Sequence, residues 1–155
     1  MQYVGSKKKS VVVVDYAHTP DALLNVLSTI KKLQKGGEQI ITVVGCGGDR
    51  DKSKRRLMGE AAAEYSHKAI FTSDNPRSED PSAIVSMILA GFSTRVPVRV
   101  EHDREKAIRS AVENAVEGDV VLVAGKGHED TQTYGSNVKR FSDREIAQSL
   151  ARKAA

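Results

Sequence analysis

Four short stretches of this sequence concentrate acids, cations and glycines: Asp15-Tyr16-Ala17-His18, Gly45-Cys46-Gly47-Gly48-Asp49-Arg50-Asp51-Lys52, Ser73-Asp74-Asn75-Pro76-Arg77 and Gly125-Lys126-Gly127-His128-Glu129-Asp130. A fifth, Glu101-His102-Asp103, is shorter. Brought to one rim, they offer two arginines, a lysine and a glutamate. A guanidinium grips a carboxylate through two parallel N–H···O bonds, and a nearby carboxylate suits an ammonium. Such a set fits a ligand bearing both groups, which is an amino acid.

Other chemistries fit less well. Gly45-x-Gly47-x-x-Arg50 has arginine where a dinucleotide fingerprint needs its third glycine. Lys52-Ser53 looks like the tail of a phosphate loop, but residue 51 is aspartate rather than glycine, and Gly125-Lys126-Gly127 lacks the preceding spacing. Adjacent His128, Glu129 and Asp130 do not converge easily on a metal, and no partner ligand sits at helical spacing, so no metal site is expected. Cys46 has no evident base. Plain local roles stay open as well. Asp15 and His18 could cap the following helix, Arg50, Asp51 and Lys52 could be a solvated charge run, Asn75-Pro76-Arg77 could be a turn, and Glu129 could be loop decoration. His67 and His102 read as surface or capping residues.

These loops need elements to hold them. Short Val- and Ile-rich runs at residues 11–14, 40–44, 69–72, 96–100 and 120–124 read as strands buried on both faces. Helical patterns lie between them. Thr19 is an N-cap, with Pro20 in the first turn and Leu23, Val26, Leu27 and Ile30 as one stripe, before Gly36-Gly37 ends the helix. A second helix spans about residues 54–65. A third starts at Asp80-Pro81 and carries Ile84, Ile88 and Phe92; a fourth carries Ile108, Ala111, Val112 and Ala115. The last opens on Ser142-Asp143-Arg144-Glu145, a capping-box pattern, and carries Ile146 and Leu150. Residues 131–134 and 137–141 flank Gly135-Ser136 as a small hairpin. The pattern predicts a doubly wound, mostly parallel Rossmann-like α/β sheet with helices on both faces and a small C-terminal hairpin. In such sheets ligands sit beyond the carboxyl ends of the strands, and that is where all the chemically rich loops fall.

Bulk properties agree with one domain. A chain of 155 residues buries about 70% of its unfolded surface and needs no staple. One cysteine excludes an internal disulfide and fits a reducing compartment. No apolar run approaches membrane-spanning length, and the Lys7-Lys8-Lys9 run lacks the apolar segment of a secretory signal. A net charge of +4 with 5% aromatic residues suits a small anionic ligand but gives no nucleic-acid footprint.

The strings DYAHTPDAL, GCGGDRDKSKR, SDNPRSEDP and AGKGHEDTQ, in this order, resemble the C-terminal domain of the Mur ligases. The similarity runs from about Val11 to the last helix, and DNPR resembles the branch that adds meso-diaminopimelate. The resemblance implies an ATP-dependent, Mg²⁺-requiring ligase of peptidoglycan precursor synthesis. It joins an amino acid to UDP-N-acetylmuramoyl-L-alanyl-D-glutamate through an acyl phosphate. It further implies that Arg50, Asn75 and Arg77 hold the diaminopimelate carboxylate and neighbouring polar groups, with Asp74 and Pro76 shaping that loop. Gly125 and Glu129 would receive the ammonium, Asp15 and His18 would meet the nucleotide, and Lys52 would approach the reacting phosphoryl centre. The family's UDP-binding and central ATPase domains, with their phosphate loop and metal ligands, have no counterpart in these residues. The expectation is therefore one domain of a larger enzyme, in bacterial cytoplasm or plastid stroma, that folds alone but does not turn over. Two alternatives remain: the folate-polyglutamate ligase branch, against which DNPR and GKGHED argue, and a non-catalytic small-ligand module.

Overall fold

Alternate residues along each central strand face opposite ways, and each direction finds its own layer of helices. The computed structural model describes residues 1–7, 10–92 and 95–152, so Lys8 and Lys9 of the basic run lie outside the described residues. The strands are β1 (Gln2–Lys7), β2 (Ser10–Asp15), β3 (Ile40–Val44), β4 (Lys68–Phe71), β5 (Val98–Val100) and β6 (Val120–Ala124). They form one sheet in the order β1-β2-β6-β3-β4-β5, parallel throughout except for antiparallel β1. Helices α1 (Pro20–Leu33), α2 (Ser53–Tyr65) and α3 (Pro81–Leu89) bury Leu23, Leu27, Met58, Ile84 and Ile88 against Val13, Ile40, Val44, Phe71 and Leu122. Helices α4 (Arg104–Asn114) and α5 (Asp143–Arg152) bury Ile108, Val112 and Leu150 on the other face, against Val12, Val14, Ile41, Val43 and Val123. A separate hairpin pairs β7 (Thr131–Tyr134) with β8 (Asn137–Arg140) across Gly135-Ser136. This is the doubly wound sheet that the sequence pattern predicts. Among the described residues no helix is long and apolar enough to cross a membrane.

The helix starts follow local chemistry. Thr19 Oγ1 accepts from Ala22 N–H at 3.2 Å, with Pro20 opening α1 where its missing donor costs nothing. Asp80 caps α3 in the same way through Ser82 N–H, and Ser142 Oγ accepts from Glu145 N–H at 3.2 Å.

Three expectations are corrected. The edge strand β1 is new; apart from Val4 it has no aliphatic side chain, Tyr3 is exposed, and a bulge between Tyr3 and Gly5 breaks any period, so no buried-strand signal marks it. Strand β5 is shorter than residues 96–100 and exposed along its length, because it is an edge rather than a two-face-buried strand. Phe92 lies beyond α3, in the turn that follows, yet its ring packs edge-on to Phe71 at 5.0 Å.

Candidate functional site

The strand order contains a switch point. The chain passes from β2 to β3 and only later lays β6 between them. The loop after β6 therefore emerges between those after β2 and β3, at the carboxyl ends where open α/β sheets hold ligands. With the loop after β4, they enclose a cavity of about 380 Å³.

Of the residues singled out from the sequence, His18, Arg50, Asp74, Asn75, Arg77, Gly125 and Glu129 line this cavity. Three others do not. Asp15 turns back on its own loop, where Oδ1 accepts from Ala17 N–H at 2.8 Å. Pro76 is buried beneath the wall. Lys52 is exposed at the start of α2 and makes no side-chain capping bond. The stretch Glu101-His102-Asp103 serves α4, which Asp103 caps through Lys106 N–H at 3.1 Å.

The glycine run is explained by loop-on-loop packing. A Cβ on Gly48 would sit 1.8 Å from the Pro76 carbonyl oxygen, and one on Gly45 would sit 2.1 Å from that of Thr72. Gly48 N–H donates to Asn75 O at 2.8 Å across the same seam. The neighbouring loop fills the seam at Gly45 and Gly48, while Gly45 and Gly47 also line the cavity.

Cations and acids then divide the cavity. Arg77 has a left-handed backbone (φ 53°), which costs an arginine about 1–3 kcal/mol. Its N–H donates to Thr133 O at 3.1 Å and its carbonyl accepts from Gly135 N–H at 2.6 Å, so the hairpin holds it there. Its Nη1 donates to Gly48 O at 2.8 Å and the remaining guanidinium donors are left for the cavity. Among the described residues, exposed Arg50 bonds only Asp49 O, at 3.1 Å. Two acids line the same cavity: Asp74 is almost fully buried and Glu129 half-buried. At the mouth, exposed Tyr16 lies edge-on to His18 at 4.6 Å. His18 Nδ1 is 2.9 Å from Tyr16 O, and a carbonyl can only accept, so Nδ1 carries the hydrogen and Nε2 is left to accept. Burial, with the Asp74 charge, pushes the Cys46 thiol up to about 12, which makes it a poor nucleophile.

Sequence reasoning missed three buried cations. Arg55, 1% exposed, lines the cavity floor and forms a two-bond fork with Glu79 at 2.7 and 2.8 Å, while Nη2 also donates to Gly47 O. Arg104 and Asp143 form a similar buried pair under the loops, and Lys126 sits at the centre of the acidic wall. A signal existed for two of them. Arg55 recurs with Met58 and Ala62, and Arg104 with Ile108 and Ala111, at the spacing of each helix's buried stripe.

The Arg55 clamp has a pH signature. The Arg55 guanidinium, helped by Asp49 N–H, lowers the Glu79 carboxyl from an ordinary 4.5 to about 2. A folded value below the unfolded one contributes stability that is full above about pH 4.5 and is lost as pH falls toward 2. Glu79→Gln should flatten this part of the acid-stability profile, read from urea midpoints across that window. A wild-type slope in the variant would break the assignment.

Residues 1–127 match the family described as Mur ligase, glutamate ligase domain. The chain is 53% identical over 145 residues to the UDP-N-acetylmuramoyl-L-alanyl-D-glutamate--2,6-diaminopimelate ligase of Prochlorococcus marinus subsp. pastoris, covering 94% of this chain and 28% of that one. A solved structure of an enzyme with the same name superposes with a TM-score of 0.91 at 42% identity, over 99% of this chain and 31% of its own. The bifunctional folylpolyglutamate synthase/dihydrofolate synthase of Yersinia pestis shares the fold alone, with a TM-score of 0.62 and 20% identity over 99% of this chain and 30% of that one. This chain spans less than a third of the length of each.

Proposed function

Because the chain belongs to the Mur ligase family, we propose that it is the amino-acid-gripping domain of an ATP-dependent ligase. In this reading the enzyme joins meso-diaminopimelate to UDP-N-acetylmuramoyl-L-alanyl-D-glutamate. The observation that carries the reading is that Arg50, Arg77 and Glu129 line one small cavity. Arg50, Arg77 and the Asn75 amide bind a ligand carboxylate; the Gly125 backbone and the Glu129 carboxylate take the ammonium at the other end. Asp74 and Pro76 hold the loop that carries them. The bound amine is thereby oriented to attack an acyl phosphate formed on the acceptor peptide, with phosphate leaving.

Lys52 stands outside the cavity, and its exposed ammonium is free to meet developing negative charge in a facing domain. Asp15 and His18 belong to the side that meets ATP; of the two, His18 reaches the cavity. Magnesium does not fit this chain. Among the described residues no three acidic, histidine or cysteine side chains gather as a metal site. The remaining domains supply the metal and phosphate contacts, so the chain alone should fold without turnover. The reaction belongs where ATP and UDP-linked precursors are held, in bacterial cytoplasm or plastid stroma.

Titrating the ¹⁵N-labelled chain with meso-diaminopimelate, lysine, glutamate and ATP tests this reading, since chemical-shift changes report even millimolar binding. Diaminopimelate should perturb the cavity signals at lower concentration than lysine does. A preference for glutamate would favour a folate-polyglutamate type of ligase instead. Phosphate release from ATP by this chain alone, given acceptor peptide and diaminopimelate, would refute its standing as a part-enzyme.

A further inference from the structure

We infer that Lys126 is a positioning residue that decides which end of the Asn75 amide faces the cavity, and so whether a ligand carboxylate meets a donor there. This rests on the cavity being an amino-acid site.

Lys126 is completely buried. Its Nζ donates to Asn75 Oδ1 at 3.0 Å and to Asp74 Oδ1 at 3.3 Å, and lies 3.7 Å from Glu129 Oε1. Thr133 N–H donates to the same Asn75 Oδ1 at 3.0 Å. An ammonium and a backbone amide can donate but not accept, so the group between them has to be the oxygen of Asn75. Turning the amide over would set NH₂ against two buried donors. Lys126 and Thr133 therefore leave the NH₂ as the branch available to the cavity, which Asn75 lines. Its Nδ2 has no hydrogen-bond partner among the described residues. The result is a pair of neutral donors beside the guanidinium groups of Arg50 and Arg77.

The same lysine sets the charge of the acids beside it. It is hydrogen-bonded to Asp74, which is 7% exposed and needs a cation close by. It reaches Glu129 only at ion-pair distance, so that carboxylate keeps its hydrogen-bonding capacity for a ligand ammonium. Without Lys126 the Asn75 oxygen keeps only the Thr133 N–H, so one donor instead of two opposes its rotation toward the cavity. There it would repel the carboxylate that the NH₂ would have bound.

The test is ¹⁵N NMR of the side-chain amides of this chain, with the Asn75 signal identified by its loss in Asn75→Asp. In Lys126→Met the Asn75 NH₂ signal should move, and the affinity for meso-diaminopimelate should fall about tenfold or more. A Lys126 that only stabilised the fold would lower the melting temperature and leave both readouts alone. Should Lys126→Met fail to fold, Asn75→Asp decides. One carboxylate oxygen can accept from Lys126 and Thr133 as the amide oxygen does, the other turns toward the cavity, and the variant should bind at least about tenfold more weakly. Wild-type affinity in Asn75→Asp, or an unmoved amide signal with wild-type affinity in Lys126→Met, overturns this inference alone. A wild-type chain that ignores diaminopimelate overturns the functional reading, and this inference with it.

Discussion

On the proposed function, replacing Arg77 with alanine in the full ligase should cost it most of its preference for meso-diaminopimelate over lysine. The two amino acids differ by one carboxylate. When lysine occupies the site, Arg77 keeps its bond to Gly48 O, and among the described residues no anion meets the rest of its half-buried guanidinium. Sites built around a polar group reject ligands lacking it by about 10⁴-fold or more when fully enclosed. Arg77 is only half-buried, so the discrimination it supplies is smaller, about 10²–10³-fold in the ratio of kcat/KM values. Backbone strain does not confuse the comparison, because alanine bears the same left-handed penalty that arginine already does at this position. Steady-state kinetics with each amino acid as the varied substrate reads the ratio directly. An Arg77→Ala enzyme that still favoured diaminopimelate by the wild-type factor would remove Arg77 from specificity.

The largest effect on stability is expected at Arg104. Its Nε and Nη2 donate to the two oxygens of Asp143 at 2.8 and 2.7 Å, and both side chains are fully buried. Nη1 donates to Ser73 O at 3.1 Å and Nη2 also to Ala124 O at 3.0 Å. One guanidinium thus ties the start of α4 to the start of α5 and to the ends of β4 and β6, from which two of the cavity loops spring. Burial disfavours its charge, and the adjacent Asp143 carboxylate more than offsets that, so the Arg104 pKa lies above its ordinary value. Arg104→Met leaves Asp143 as an uncompensated buried charge and strands two carbonyls, a loss of about 3–5 kcal/mol. For a domain of this size that lowers the melting temperature by roughly 10 °C. Urea denaturation measures it, and a loss below about 1 kcal/mol would contradict the assignment. The double variant Arg104→Met, Asp143→Leu should recover much of the loss, since removing both charges also removes the desolvation cost of burying them.

The elements that build the sheet were legible because their signals lie between near neighbours in the chain. The β-branched runs of β2, β3 and β6, the Thr19 and Asp80 caps and the stripe of α1 are each complete within a dozen residues. The loops that line the cavity were legible for a related reason. In a sheet of parallel strands, every strand-to-helix loop exits at the same end, so Arg50, Asn75, Arg77 and Glu129 shared a side before any packing was known. Strand β1 and the exposure of β5 were not legible, because an edge strand need not carry the continuous apolar run that burial on both faces imposes.

By itself, the sequence determined the alternation of strand and helix, the end of the sheet at which the chemistry gathers, and the types of charge available there. Only the tertiary structure decided which of those charges are spent within the protein and which remain for a ligand. Lys126 is absorbed by Asp74 and Asn75, Arg55 by Glu79 and Arg104 by Asp143, across separations of 24 to 52 residues. A charge leaves water only when partners from distant segments meet it, so its burial depends on contacts that no local stretch contains.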